Sequence, residues 1–225
     1  MMTLEAREIR YRQWSNLDTT PFSLHIPALA FPRGSVIALT GPNGSGKSTL
    51  LQHIAGRTGQ SFVQEASAAW WHTDGVKLPA ADVHAFLAAK PRFFPGMLPK
   101  PYLRLTRYTR HTGPTDQEIE ETLERFGLSR RLGRVPAETY SSGQQKRLGL
   151  ARIFLQETPL ILLDEPNANL DGDSQHLIGL VIEKSRLANG IAFMVIHDRR
   201  FLSLASHHLR ICPQRGLVVE SGEIL

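Results

Sequence analysis

The chain contains the stretch Gly41-Pro42-Asn43-Gly44-Ser45-Gly46-Lys47-Ser48-Thr49, in which a glycine precedes four free positions and then Gly46-Lys47-Ser48. This spacing is typical of a phosphate-binding loop. Its glycines allow the backbone to curl so that successive N–H groups point at one anion, which bulky side chains would prevent. The lysine then brings a positive charge to the phosphates, and the serine after it supplies a hydroxyl oxygen to Mg²⁺. We therefore expect the whole stretch to line a nucleotide site, with Ser48 also binding the metal.

The residues on either side of the loop fit this interpretation. Residues 35–39 form a short apolar run of strand type, and Leu50, Leu51 and Ile54 keep helical spacing after the loop. A helix that begins near Lys47 directs the positive end of its dipole at the same anion. A Gly/Ser-rich turn between a strand and a helix, without a bound phosphate, is the alternative interpretation.

The bulk composition is typical of a globular protein with one α/β domain, or one domain with an insertion. Apolar residues make up 41% and charged residues 21% of the 225 positions, so the chain can bury a substantial core. Its one cysteine, Cys212, excludes an intrachain disulfide and suits a reducing compartment. The sequence has no apolar signal core and no run near the roughly 18 apolar residues needed to cross a bilayer. We therefore expect a soluble chain whose membrane role would be supplied by partners.

The net charge is +5, and the positive excess is concentrated in one segment. No acidic residue occurs between Asp82 and Asp116. The basic residues within that span are Lys90, Arg92, Lys100, Arg104, Arg107 and Arg110. Such a run forms either an ordinary solvated face or a surface for an anionic partner or lipid headgroups, and the sequence leaves both interpretations open.

The first half of the chain predicts short strands and few helices. Residues 4–11, 22–26 and 61–64 have the alternation or apolar content of strands. We expect a helix at residues 81–90 and irregular, proline-rich chain after it. The apolar segment 93–98 is flanked by prolines and forms either buried cover or an exposed docking patch.

Three side chains in this half are candidates for contact with a nucleotide. Tyr11 and Trp14 precede the phosphate loop, and either could stack a flat ring on the base, with Tyr11 preferred. Core packing is the alternative for both rings. Gln64 follows a predicted strand, so its amide oxygen could lie near a metal or a water molecule, although most glutamines in such positions are surface groups.

The second half predicts helices and buried strands in alternation. Thr115 and Glu118 form a capping box that begins one helix. Residues 160–163 and 192–196 are continuous apolar runs, as expected of parallel strands covered on both faces, with a helix at 173–187 between them. Two buried strands joined through a helix form a βαβ unit, which predicts a mainly parallel sheet.

Three polar residues follow these buried strands at their carboxyl ends. Asp164 and Glu165 come directly after residues 160–163, and His197 directly after 192–196. Open α/β sheets place their ligands at this end of the strands. Phosphoryl transfer needs one carboxylate for Mg²⁺ and one for the attacking water, so we expect Asp164 to bind the metal and Glu165 to act as base. His197 is a candidate contact to the γ-phosphate. An N-capping turn and a structural histidine are the alternatives.

Five ordered segments resemble the ATP-binding cassette ATPases. They are the phosphate loop and residues 140–147, 160–166, 169–171 and 197–198. The run Tyr140-Ser141-Ser142-Gly143-Gln144 is close to the family signature Leu-Ser-Gly-Gly-Gln and is the most specific of the five.

The resemblance implies an α/β fold of the P-loop NTPase type. This fold has a core with a mainly parallel sheet, shortened N-terminal antiparallel strands and an inserted helical subdomain. By the resemblance, the core covers residues 1–65 and 136–225 of a single domain, and the helical subdomain covers residues 66–135.

By the same resemblance, two copies of the chain form a head-to-tail dimer around two ATP molecules with Mg²⁺. Each nucleotide would lie between Lys47 of one copy and the signature residues of the other, which are Ser141, Ser142, Gly143 and Gln144. A glycine-bearing turn at a helix start is a second anion cradle, which the phosphate loop alone does not need. The roles that the resemblance implies are Glu165 as general base, His197 as γ-phosphate clamp, Gln64 as sensor glutamine and Asp171 as a contact across the dimer. From the residues themselves we expect Lys47 to act as the catalytic cation and Ser48, Gln64 and Asp164 to bind the metal. Tyr11, with Trp14 as the alternative, is the ring expected on the base.

Three departures from the family pattern affect these expectations. Ser142 stands in place of the first signature glycine, and Tyr140 in place of the leucine. Lys47 and Gln64 are only 17 residues apart, so the antiparallel arm usually found between them is cut short. Gln60 is the alternative to Gln64 for the same reason.

The favoured function is the soluble ATPase subunit of a membrane transporter, peripheral on the cytoplasmic face of the plasma membrane. Residues 70–110 would meet separate integral membrane subunits, with Phe93, Phe94 and Met97 as docking candidates. One alternative is a non-transport cassette ATPase that acts on nucleic acid or ribosomes through its basic segment. Another is a kinase of small metabolites, which leaves the signature segment and His197 without a role. The cargo and the direction of transport stay open, with metal-ion import and haem export both compatible with the sequence.

Overall fold

The computed structural model describes residues 2–4, 7–11, 22–26, 28–56, 70–73, 76–79, 84–106, 113–128, 131–172, 175–212 and 216–220. Its strands are β1 (Met2–Leu4), β2 (Arg7–Tyr11), β3 (Phe22–Ile26), β4 (Leu29–Phe31), β5 (Val36–Thr40), β6 (Trp70–Thr73), β7 (Val76–Pro79), β8 (His84–Leu87), β9 (Leu160–Leu163), β10 (Ile191–Val195), β11 (His207–Cys212) and β12 (Gly216–Glu220). Its α-helices are α1 (Lys47–Ile54), α2 (Pro99–Arg104), α3 (Asp116–Arg125), α4 (Ser142–Leu155) and α5 (His176–Leu187), with 3-10 turns at Leu132–Arg134, Ala137–Thr139 and Arg199–Leu204.

A six-stranded sheet forms the centre of the fold. Its order is β12-β11-β5-β10-β9-β8, with β12 antiparallel to β11 and the other five strands parallel. Every residue of β9 and β10 is buried, as expected of central parallel strands. The two apolar runs predicted as parallel strands are therefore confirmed, at Leu160–Leu163 and, one residue earlier than expected, at Ile191–Val195.

Successive residues of β5 join two separate cores, because side chains alternate between the faces of a strand. Val36 and Ala38 belong to the core that α3, α4 and α5 complete. Ile37 and Leu39 belong to the other core, which contains the apolar residues of α1. The sheet thus has an apolar layer on each face, in agreement with the predicted α/β class.

The helix predicted at residues 81–90 is wrong in its described part, because His84–Leu87 forms strand β8. This strand pairs in parallel with β9, with Leu87 opposite Leu163. Alanine and leucine favour a helix in isolation, but the free edge of β9 offers a backbone ladder and a buried position that outweigh this preference. Helix α4 packs closely on the strand, since a Cβ added to Gly149 would lie 2.5 Å from Leu87 Cδ1. The central sheet therefore extends one strand further than the sequence indicated.

Two smaller antiparallel sheets use the N-terminal residues. The first has the order β4-β1-β6-β7, and the second pairs β2 with β3. The single strand predicted at 4–11 is therefore two short strands with different partners, while the strand at 22–26 is confirmed. The antiparallel part is larger than the sequence suggested, because β6 and β7 join it. The strand predicted at 61–64 lies outside the described residues.

The span 66–135, predicted as a helical subdomain, combines strands with helices. Strands β6, β7 and β8 belong to the sheets described above, and α2 and α3 follow them and contact α4. Within segment 93–98, Phe93 and Met97 pack against the core, whereas Phe94 is 67% exposed. The two interpretations of this segment, buried cover and exposed patch, thus apply to different side chains.

Helices α3 and α4 both begin with a capping box. Thr115 Oγ1 accepts from the N–H of Glu118 at 3.2 Å, and Glu118 Oε2 accepts from the N–H of Thr115 at 2.8 Å, as predicted. The same exchange joins Ser141 and Gln144 at the start of α4, at 3.3 and 3.0 Å. The sequence signal was the same in both helices, a hydroxyl residue followed three positions later by Glu or Gln.

Replacing Thr115 with Ala should lower the free energy of unfolding by about 1 kcal/mol, because the N–H of Glu118 loses its acceptor. Glu124→Ala, at an exposed position of the same helix, is the matched control and should change it by less than about 0.5 kcal/mol. Urea denaturation followed by circular dichroism measures both values. Equal stabilities of the two variants would contradict a stabilising role for the box.

Candidate functional site

The carboxyl ends of β5, β10, β9 and β8 meet at one edge of the six-stranded sheet. The phosphate loop follows β5, Asp164 follows β9, and His197 comes two residues after β10. Two backbone hydrogen bonds join the ends of neighbouring strands. The N–H of Ile196 donates to Leu39 O at 3.1 Å, and the N–H of Asp164 donates to Leu87 O at 2.8 Å. The structure therefore brings the phosphate loop, Asp164 and His197 to the same edge, where open parallel sheets bind ligands.

The phosphate loop passes through backbone conformations that glycine adopts most readily. Gly44 has φ 76° and Gly46 has φ 96°, both left-handed, and α1 begins directly after Gly46. At Gly41, φ is 145° and an added Cβ would lie 2.7 Å from the carbonyl oxygen of Ile211. Glycine is therefore required here both by the backbone angle and by the neighbouring strand.

Lys47 and Ser45 place polar atoms inside the loop. Lys47 Nζ donates to the carbonyl oxygens of Gly41 at 3.0 Å and Pro42 at 2.7 Å. Burial lowers the pKa of Lys47, and two nearby carboxylates oppose that shift. Ser45 Oγ is buried and has no hydrogen-bond partner among the described residues. Because buried polar atoms normally have partners, the loop fits a ligand rich in oxygen atoms, such as a triphosphate.

Ser48 and Asp164 together fit a magnesium ion. Ser48 Oγ donates to Asp164 Oδ1 at 3.0 Å, so a hydroxyl and a carboxylate oxygen lie side by side. Burial raises the pKa of Asp164, which is 4% exposed, and the bond from Ser48 opposes that shift. Mg²⁺ prefers oxygen ligands and is commonly held by one or two protein groups together with substrate phosphates. Among the residues that the structure describes, no group of three or more His, Cys, Asp and Glu side chains could by itself hold a metal ion.

Glu165 and His197 form a pair beside this position. Glu165 Oε1 lies 3.0 Å from His197 Nε2. The side chains are 36% and 39% exposed respectively, so water can reach the carboxylate. Glu165 has φ 47°, a left-handed conformation that is uncommon in residues other than glycine. A carboxylate that is open to water and oriented by an imidazole can accept a proton from an attacking water molecule.

A cavity of about 310 Å³ opens beside the phosphate loop and His197. Its walls also include His208 and Arg210 of β11, and His208 Nε2 lies 2.6 Å from Thr40 Oγ1. The guanidinium of Arg210 adds a positive charge to this cavity, and a positive charge in a cleft raises the local concentration of anions. The cavity therefore extends the anion-binding character of the edge toward β11.

The signature turn is built as the N-terminus of the 14-residue helix α4. Among the described residues, the side chains of Ser141 and Gln144 bond only to the backbone N–H of one another. A Cβ added to Gly143 would lie 2.8 Å from Asn169 O, so this glycine allows close packing. Ser142 is exposed at the first position of the helix and is not in a left-handed conformation, so a residue with a side chain fits there. The turn offers helix N–H groups to an anion.

Tyr140, the other departure from the signature, is buried at the junction before this turn. Its hydroxyl donates to the carbonyl oxygen of Leu132, and burial raises its pKa to about 12. The ring belongs to the core that α4 completes. Tyrosine therefore fills the apolar position and adds a hydrogen bond to the 3-10 turn at Leu132–Arg134.

The described part of the chain leaves the roles of several predicted residues untested. Tyr11 ends β2 opposite Phe22, and its side chain lies outside the described part of the chain. Asp171 is exposed in the loop after β9. The residues that lie outside the described ranges are Trp14, Gln60 and Gln64. Their roles, and that of Asp171 across a dimer, stay predictions.

Lys146 is a site residue that the sequence reasoning missed. It is 1% exposed, and burial lowers its pKa to about 8 while nearby carboxylates oppose that shift. Its Nζ donates to the carbonyl oxygen of Glu165 at 3.0 Å. The available signal was its helical spacing with Leu150 and Ile153, which places a charged residue on the buried stripe of α4.

Comparisons with known proteins agree with this geometry. The ABC transporter family matches residues 24–168. The thiamine import ATP-binding protein of Vibrio vulnificus is 31% identical over 100% of this chain and 92% of its own length. The lipoprotein-releasing system ATP-binding protein of Idiomarina loihiensis is 30% identical over 81% of both chains. The cytochrome c biogenesis ATP-binding export protein of Cereibacter sphaeroides is 36% identical over 73% of this chain and 70% of its own.

Solved structures show the same fold. A dimeric ATP-binding cassette in a post-hydrolysis state, bound to ADP and Pi, matches with a TM-score of 0.77 over 99% of this chain and 100% of that chain, at 19% identity. The ATP binding subunit of an ABC transporter matches with a TM-score of 0.73 over 97% and 90%, at 21% identity. These likenesses confirm the predicted mainly parallel α/β architecture.

Replacing Gly41 with Ala should weaken ATP binding about tenfold or more, because the side chain would meet Ile211 O at a φ that alanine rarely adopts. Gly113→Ala is the matched control, since a Cβ there meets nothing within 4 Å. Titration with a fluorescent ATP analogue measures the affinities, and circular dichroism establishes that both variants are folded. A folded Gly41→Ala protein with unchanged affinity would contradict nucleotide binding in this loop.

Proposed function

This chain belongs to the ABC transporter family, and from that premise we propose that it is the ATP-hydrolysing subunit of a transporter, working as a dimer around two ATP molecules. The chain is an ATPase of the cassette type. The observation that carries the proposal is the arrangement of the sheet edge, where Lys47, the Ser48–Asp164 pair and the Glu165–His197 pair lie together. The signature turn is the second half of the proposed site.

The proposed chemistry divides among these residues. The phosphate loop and Lys47 hold the triphosphate, with Lys47 turning from the carbonyls of Gly41 and Pro42 to the β- and γ-phosphates. Ser48 and Asp164 would hold Mg²⁺, which when bound neutralises charge on the phosphates. Glu165 accepts the proton of the attacking water, and His197, 3.0 Å from its carboxylate, orients that carboxylate and contacts the γ-phosphate.

A second copy of the chain would complete each site. The N–H groups and hydroxyls at the start of α4 suit a phosphate, yet the described bonds of Ser141 and Gln144 are to one another. Asp171 is exposed, as a contact between copies requires. The proposal therefore places the signature turn of one copy against the nucleotide held by the phosphate loop of the other, with Tyr11 as the ring on its base and Gln64 as a further metal ligand.

Integral membrane subunits are the proposed partners, at the cytoplasmic face of the membrane. In the described ranges no helix has the length and apolar character of a membrane span. Phe94, Leu98 and Leu105 are exposed apolar side chains in the part of the chain between β8 and α3, and they are the proposed contacts with these subunits. These side chains lie in the proposed helical subdomain, in the part of the span 66–135 that follows β8. Strands β6, β7 and β8 of that span belong to the sheets of the proposed core, together with residues 1–65 and 136–225.

The nucleic-acid alternative receives less support. Lys100 and Arg104, in the basic segment, form ion pairs with Glu120 and Asp116 of α3, which reduces the positive charge available to an outside polyanion. The relatives are named for lipoprotein release, thiamine import and cytochrome c biogenesis export. Their differing names do not select a cargo or a direction of transport for this chain.

Glu165→Gln should lower the ATP hydrolysis rate about 100-fold or more, because the general base is lost while binding remains. The ATP-loaded variant should accumulate as a dimer, because without hydrolysis the two copies stay closed around ATP. Analytical ultracentrifugation with Mg-ATP measures the dimer, and phosphate release measures the rate, with Glu124→Gln as control. An ATP-bound variant that stays monomeric at high concentration would overturn the dimer.

Adding Ser142→Glu to the Glu165→Gln protein should abolish the ATP-dependent dimer without weakening ATP binding by the monomer. Ser142 is exposed at the first position of α4, so an acidic residue there is compatible with the helix dipole. Its charge would repel the phosphates held by a second copy. The same ultracentrifugation measurement applies, and a stable dimer of the double variant would exclude the signature turn from the nucleotide interface.

A further inference from the structure

Helix α4 carries a buried ammonium that the proposed mechanism does not use. Lys146 is one turn beyond the signature turn, and its side chain is 1% exposed. Its Nζ donates to three carbonyl oxygens: Ala88 at 3.3 Å, Ala89 at 2.7 Å and Glu165 at 3.0 Å. A buried charge is costly unless it is fully hydrogen-bonded. The three donors of an ammonium match the three acceptors, so the site is completely satisfied.

One of these acceptors belongs to the residue proposed as general base. Glu165 has φ 47°, and its carbonyl oxygen accepts from Lys146 and from the N–H of Ala168 at 3.1 Å. A left-handed residue other than glycine is strained, and this conformation persists only when its surroundings hold it. The ammonium of Lys146 therefore helps to keep the backbone of Glu165 in this conformation. Because the backbone conformation sets the direction of the side chain, the ammonium also helps to orient the Glu165 carboxylate.

The other two acceptors lie where β8 leaves the sheet, next to the metal position. Burial raises the pKa of Asp164, and the backbone N–H of Ala89 opposes that shift. This N–H shares a peptide group with the Ala88 carbonyl that accepts from Lys146. This peptide group therefore lies between the ammonium and the Asp164 carboxylate. The side chains of Ala88 and Ala89 carry no polar atoms. At the carboxyl end of β8, the polar contacts to the turn formed by Asp164 and Glu165 therefore come from backbone groups and from the Lys146 ammonium.

We propose that Lys146 is a positioning residue for hydrolysis, which ties the turn that carries Glu165 to the exit of β8 and to the signature helix. This inference rests on the proposed function, since it assumes Glu165 as base. The same β8 exit continues to Phe94, and Met97 O accepts from Ala137 N–H at 2.9 Å just before the signature turn. Lys146 is thus bonded to the backbone at the start of the chain that leads from β8 to Phe94.

Lys146→Met keeps an unbranched side chain and removes all three donors. We expect kcat to fall about tenfold to hundredfold, because a small displacement of the base is costly to the reaction, while the KM for ATP changes by less than about threefold. Lys184→Met is the control, since Lys184 on α5 is a half-buried lysine that also donates to a backbone carbonyl, Phe154 O at 2.6 Å. Its kcat should stay within about twofold of the wild type. Steady-state phosphate release measures both parameters, and thermal melting tests folding.

A double variant separates positioning from a general structural role. In the Glu165→Gln protein, single-turnover hydrolysis of radiolabelled ATP should be the same with and without Lys146→Met, because the carboxylate that the lysine positions is already gone. An equal fold-loss in both backgrounds, or a raised KM, would overturn the inference. If Lys146→Met does not fold, Lys146→Gln, which keeps two N–H donors, should give an intermediate kcat, and a wild-type kcat would count against the proposal.

The two proposals fail in distinguishable ways. A Glu165→Gln protein that hydrolyses ATP at the wild-type rate would overturn the proposed base, and the positioning role would fall with it. An inactive Glu165→Gln protein together with a fully active Lys146→Met protein would overturn the positioning role alone.

Discussion

Parallel hydrogen bonding among β8, β9, β10 and β5 is the constraint on which the site depends. Each of these strands ends at the same edge, and the register sets which residue comes next to which. A slip of one residue in a buried strand would turn its side chains to the opposite face, and both faces of this sheet are apolar cores. The burial of β9 and β10 therefore fixes the position of Asp164 and Glu165 relative to the phosphate loop.

Several ionisable side chains are buried at this edge of the sheet, where burial of a charge is normally unfavourable. Lys47 and Lys146 are both buried, with pKa values lowered by that burial, and Asp164 is buried with a raised pKa. Each charge is offset by backbone or hydroxyl partners, and the lysines and the carboxylates oppose one another's shifts. Such an arrangement is typical of functional sites. The buried hydroxyl of Ser45 adds a polar atom that a phosphate oxygen would satisfy.

Helix α4 connects the two halves of the proposed site. Its first residues form the capped signature turn, its second turn carries the ammonium under Glu165, and Gly149 lets it lie directly on β8. These parts belong to one 14-residue helix, which is about 21 Å long. The proposed closing of two copies on ATP and the positioning of the catalytic carboxylate are thereby linked through one element.

The sequence by itself determined the local features whose chemistry requires particular residues at fixed spacing. The glycines of the phosphate loop, the Thr115 capping box, the apolar runs of β9 and β10 and the acidic pair after β9 all have such requirements, and the described structure contains each of them. The resemblance to ABC cassettes, read from the signature segment, was confirmed by the family match.

Only the tertiary structure decided which segments pair. Residues 84–87 have the composition of a helix, and they form a strand because β9 offers a free edge. Residues 4–11 divide between two sheets because their partners are distant in sequence. Lys146 reads as an ordinary surface lysine until β8 is placed beside β9, since its three acceptors come from two separate parts of the chain. The spacing of residues within one segment determines features such as a phosphate loop or a helix cap. The pairing of strands depends on partner segments elsewhere in the chain, so the sequence of one segment does not determine it.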